Sequence, residues 1–245
     1  MFKSVVPVNS NRHQGKKIRP ISSFAFAGEL HFASIMAHEF QRAASTYPIV
    51  FIEDTEADEF RPVVLLGLEP GKNLFVDADG KWNASYIPAI IRRYPFALAR
   101  TAEEGVFSIC IDEESNLIDD SEGLPLFDAD GKPAEAMENV KRYLSELQQM
   151  EAFTKAFCAE LKQLNMFTPL NMRVRDGNAV RNVTGLYALN EERLGNLSDQ
   201  RFLEMRKKGY LPLIYGHLTS LAQIERLVML KEGRTTGAVD NSQPV

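Results

Sequence analysis

Residues 48–66 read PIVFIEDTEADEFRPVVLL. Two β-branched and aromatic runs, 48–52 and 62–68, flank a polar stretch rich in turn-forming residues, which is the pattern of neighbouring strands. Further along come NLFV (73–76) and VFSICI (106–111), with DADG (77–80) read as a hairpin turn whose glycine supplies the positive φ. Lys81-Trp82 opens the return strand, and a short helix from Pro88 to Arg93 ends at Tyr94-Pro95. A doubly wound fold needs regular β-α-β alternation, and none occurs between 48 and 111. The reading is therefore an α+β fold, a largely antiparallel sheet packed by several helices.

Upstream, Ser22 or Ser23 is placed as the cap of a helix to about Ser45, on the recurrence of Phe24, Ala27, Leu30, Phe32, Ile35, Met36 and Phe40. Residues 1–20 are expected to form an extended arm, with Val5-Val6-Pro7-Val8 as an edge strand and a basic cluster of Lys16, Lys17 and Arg19. Downstream, the strongest helix is expected near 133–164, with Pro133 at its start and a stripe from Val140 to Leu164. Strands follow at 170–175 and 183–189 around the turn 176–178. A helix capped by Ser198 turns Phe202, Leu203 and Met205 inward, and a last helix spans 213–227. Residues 21–230 are taken as one globular domain and 231–245 as a flexible tail.

The chain has 245 residues, 44% apolar and 25% charged, with a net charge of −5. That composition suits a globular protein, and the acidic balance gives no attraction for nucleic acid. Cys110 and Cys158 form no Cys-x-x-Cys pair and read as buried free thiols in a reducing compartment. No signal-peptide core occurs and no window reaches the roughly 18–20 apolar residues of a membrane helix. The expectation is a cytoplasmic protein that does not span a membrane.

Several segments form a recognisable series in order and spacing: FAFA (24–27), HEF followed by YPIVF (38–51), LLGLxPGxNLFV (65–76) and YIPxxxRRYPF (86–96). It continues with CIDEES (110–115), PLFDADG (125–131), GLYALNEERL (185–194) and GYLPLIYGHLTSL (209–221). From about residue 20 to 228 the chain resembles the SapC-related family of bacterial proteins. The resemblance implies a link to surface-layer proteins and an accessory role beside flavin-dependent halogenase-like proteins. It also carries a peptide-transport permease label, which the missing membrane span opposes. It supplies no catalytic residues.

The residues themselves name few sites. DADG recurs at 128–131, but neither copy has the third oxygen ligand and twelfth-position glutamate of a calcium loop, so both read as turns. His31 and His38, seven apart on the expected first helix, lie too far apart for one metal. No Gly-x-Ser-x-Gly or phosphate loop occurs. No catalytic residue, metal or cofactor is assigned. Arg92, Arg93 and Tyr94, between two prolines and near Trp82 and Tyr86, are the first choice for a binding surface, since paired arginines fork onto carboxylates or phosphates. Tyr215 and His217 are further candidates. Three functions stay open. The leading one is a non-catalytic accessory protein that recognises a peptide, a protein partner or a surface-layer component. The others are an enzyme of unlisted chemistry, acting on a peptide or small metabolite beside a halogenase-like partner, and a structural element of a surface array.

Overall fold

The computed structural model describes residues 1–101, 106–176 and 179–233. The expected tail lies outside the described residues from 234 onward, as do two residues of the 176–178 turn. The strands are β1 (Val5–Pro7), β2 (Lys17–Ile18), β3 (Phe32–Ser34), β4 (Ile49–Asp54), β5 (Glu59–Leu65) and β6 (Phe96–Arg100), then β7 (Phe107–Asp112), β8 (Ile118–Asp119), β9 (Leu124–Pro125), β10 (Phe167–Asp176) and β11 (Ala179–Leu189). The helices are α1 (Ser10–His13), α2 (Phe40–Ala43), α3 (Ala89–Arg92), α4 (Glu135–Gln163), α5 (Glu191–Gly195), α6 (Asp199–Lys207), α7 (Leu211–Ser220) and α8 (Gln223–Lys231). Among the described residues every strand pairing is antiparallel. The architecture is α+β, as the sequence indicates, with the strands divided among three sheets of order β1-β7-β6, β10-β11-β4-β5-β3 and β8-β2-β9.

The opening stretch is the β4–β5 hairpin, with Ile49 opposite Val64 and Asp54 opposite Glu59. Ile49, Val50 and Phe51 lie opposite Val64, Val63 and Pro62 with all six buried, so this end shows no alternation. At the other end Asp54 pairs with Arg61 at 2.6 Å and caps the amide of Ala57.

α4 has 29 residues and buries two sets of side chains. Met137, Leu144 and Leu147 enter a smaller core with Phe96, Ile111 and Leu126. Phe157, Cys158 and Leu161 enter the main core with Phe40, Phe51 and Ile214. Among the described residues no helix is long and apolar enough to cross a membrane.

The expected helix over 22–45 is absent. In its place are a 3-10 turn (Ala25–Ala27), β3, a second 3-10 turn (Ala37–Glu39) and α2. Its apolar residues serve several partners. Phe24 meets the edge of Trp82, Phe26 stacks on Tyr94, and β3 pairs with β5 and buries Ala33 between exposed Phe32 and Ser34. His31 and His38 therefore share no helix. The run at 73–76 forms no strand beyond one bridge, Val76 to Trp82. The helix at 213–227 is two helices, and Leu203 is 47% exposed where it was expected inward. Residues 1–20 contribute β1, α1 and β2, with β1 at a sheet edge.

Both DADG copies make the same turn. Asp77 Oδ1 accepts the amides of Asp79 and Lys81, as Asp128 Oδ1 accepts those of Asp130 and Lys132. Gly80 has φ +77° and Gly131 φ +76°. Among the described residues no three His, Cys, Asp or Glu side chains converge to hold a metal.

Candidate functional site

α3 begins after Pro88 and ends in the two arginines. Its start is fixed by a buried carboxylate that the sequence reading missed. Glu39 Oε1 accepts the Ala89 amide at 2.8 Å and the Tyr86 hydroxyl, while Oε2 accepts the Met36 amide at 2.9 Å. Three donors satisfy a side chain only 6% exposed. Burial, and then the Glu39 bond, push the Tyr86 hydroxyl well above the usual tyrosine range.

The sequence candidates separate. Trp82 and Tyr86 belong to the core. Trp82 Nε1 donates to Tyr47 Oη at 2.9 Å and to the Tyr86 carbonyl at 3.2 Å, so its polar atom is spent internally. Tyr94 is also buried, stacked on Phe26 with centroids 4.1 Å apart and donating to Asp112 Oδ2 at 3.3 Å. Burial raises its hydroxyl pKa. Tyr94-Pro95 is a cis peptide. Asp112 also accepts the amides of Lys3 and Ser4, which fixes the start of β1 beside Tyr94.

Arg92 and Arg93 point to an opening. Arg92 is exposed, with Nε donating to the Ile87 carbonyl at 3.0 Å and its guanidinium over the rings of Tyr86 and Tyr143 at 5.9 and 5.7 Å. Arg93 is half-buried, its guanidinium 5.8 Å from the Phe2 ring. Its Nε is buried with no hydrogen-bond partner, and among the described residues no carboxylate stands within 4.0 Å of the group. Burial pulls the Arg93 pKa below the usual arginine range, with Glu151 partly opposing it.

Arg92, Arg93 and Tyr94 line a cavity of about 350 Å³ whose other walls are α4 (Val140, Tyr143, Leu144) and the segment Ile18, Arg19, Pro20 and Ile21. The cavity is largely apolar with cations at its rim, a setting for a ligand with a carboxylate or phosphate next to apolar groups. Arg19 and Tyr143 also line this cavity, and the sequence reading does not single them out as candidates. The basic cluster ending at Pro20 was the available signal for Arg19.

Tyr215 and His217 lie elsewhere, on α7. Tyr215 is 47% exposed, and His217 is fully buried. His217 Nδ1 donates to the Ile49 carbonyl at 2.8 Å and Nε2 accepts the Leu189 amide at 3.0 Å. Burial lowers its pKa to about 4. Ser220 accepts the Ile49 amide and donates to the His217 carbonyl, so it makes no contact with the imidazole nitrogens. The pair staples α7 to β4 and offers no nucleophile.

No curated protein and no solved structure matches the chain. The SapC family model matches residues 8–227, and the chain belongs to the SapC family.

Proposed function

We propose that the chain is a non-catalytic accessory protein that holds an acidic peptide segment of a protein partner in the cavity beside Arg92 and Arg93. The supporting observation is the guanidinium of Arg93, half-buried with an orphaned Nε. An unsatisfied buried donor costs about 1–3 kcal/mol, which a ligand carboxylate would offset. Apolar side chains of the segment fill the space between α4 and the 18–21 segment. Halogenase-like proteins and surface-layer components, the partners implied by the family resemblance, are candidates to carry the segment. The free thiols of Cys110 and Cys158 suit a cytoplasmic setting.

The test is calorimetric titration with two pools of blocked octapeptides. In one, leucine or valine alternates with aspartate or glutamate, and in the other lysine replaces the acids. Binding of the acidic pool, weakened about tenfold or more by Arg93→Ala and less by Arg92→Ala, is expected. Equal binding of both pools, or indifference to Arg93→Ala, overturns the reading.

A further inference from the structure

Among the described residues β6 has one strand neighbour, β7, and stands at the edge of its sheet. Its register places Leu98 opposite Ile109 and Arg100 opposite Phe107. Just beyond, the Thr101 amide donates to the facing Val106 carbonyl, and at the other end the Asp112 amide donates to Pro95. Antiparallel pairs alternate between bonded and non-bonded. Residues 95, 97, 99 and 101 therefore bond to β7, while Leu98 and Arg100 turn their N–H and C=O groups away from it. The Val8 amide donating to the Ile109 carbonyl confirms the alternation on the opposite edge of β7. Among the described residues nothing bonds to the main-chain groups of Leu98 or Arg100.

That edge opens on a groove of about 330 Å³ between the small sheet and α4, lined by Leu98, Arg100, Phe107, Leu147 and Glu151, with Arg93 in its wall. Arg93 thus borders both this groove and the cavity described above. Glu151 lies 3.6 Å from Lys155. Arg93 and Arg100 have no carboxylate partner among the described residues. A strand without proline, with free main-chain groups and cations beside apolar side chains, has the features that accept an added acidic strand.

We propose that an extended acidic segment of a protein partner adds to β6 as a fourth strand, pairing through Leu98 and Arg100 and setting carboxylates against Arg93 and Arg100. The proposal rests on the acidic-peptide reading of Arg93 and adds the route by which the segment is held.

The test follows amide exchange by NMR in the full chain with and without the acidic octapeptide pool. The Leu98 and Arg100 amides are expected to slow by about tenfold or more, with Ala97 and Ala99 unchanged. Arg100→Ala removes the charge, and Arg100→Pro also removes the outward N–H at an edge position that tolerates proline. Arg100→Pro is expected to weaken binding about fivefold beyond Arg100→Ala. If Arg100→Pro unfolds the chain, amide exchange decides alone. Arg93-dependent binding with no protection at Leu98 and Arg100 overturns strand addition and leaves the cavity reading standing. Loss of Arg93 dependence overturns both. Protection that grows with protein concentration in the absence of peptide assigns the edge to a second copy and also overturns the proposal.

Discussion

The imidazole of His217 receives the Leu189 amide on Nε2 at 3.0 Å while its Nδ1 donates to Ile49. Only the neutral ring can do both, because a proton on Nε2 would face the Leu189 N–H. Its folded pKa, about 4, lies below the ordinary 6.5. Between those values the unfolded chain binds a proton that the folded chain refuses. The stabilisation is complete above pH 6.5 and is lost as pH falls towards 4, by roughly 3 kcal/mol in all. Urea denaturation across that range should show this slope. His217→Gln, whose amide can donate and accept, should flatten it, and an unchanged slope would refute the assignment.

Glu39→Gln tests the buried carboxylate. Three donors converge on its two oxygens. The replacement amide must turn its NH2 towards one of them. A loss of about 2 kcal/mol is expected. Tyr86→Phe should cost about 1 kcal/mol. Denaturation midpoints at pH 7 measure both, and a stable Glu39→Gln protein would remove Glu39 as the anchor of α3.

Gly80 and Gly131 form a matched pair, with almost equal φ in identical turns. A Cβ at Gly131 meets nothing closer than 3.6 Å, whereas at Gly80 it would stand 2.0 Å from Ser23 Oγ. Gly131→Ala should cost about 1 kcal/mol from left-handed strain alone. Gly80→Ala should cost about 2–3 kcal/mol, part of it recovered by adding Ser23→Ala. Equal losses at the two sites would contradict the packing of Ser23 on the first turn.

Arg93→Met separates binding from folding. An unpaired, half-buried cation contributes little to stability, and an apolar replacement of similar length leaves no orphaned donor. Stability should hold or rise by about 1 kcal/mol. A loss beyond about 1 kcal/mol would mark Arg93 as structural.

The elements legible in the sequence are those with a local signal. The β4–β5 hairpin shows in its β-branched runs, the β10–β11 pair in its turn, and α4 in its long stripe behind Pro133. The segment from 22 to 45 misleads because helical spacing of apolar residues also arises when a chain weaves among partners. Phe24 and Phe26 reach separate aromatics, and β3 is fixed by β5. Strands of two residues such as β2, β8 and β9 carry no periodicity at all. At the candidate site, the prolines around it single out the arginine pair, and both arginines line the cavity. Trp82 and Tyr86 looked like pocket walls because an aromatic run reads the same in a core. Tyr143 could not be read as a site residue, because only tertiary packing brings α4 over α3.

α4, at 29 residues, extends about 44 Å and supplies side chains to both cores. Neither core can dissolve while the other keeps this rod in place without exposing part of it to water. The two cores should therefore melt as one cooperative unit. A glycine pair introduced between the Leu147 and Phe157 positions would be expected to split one thermal transition into two.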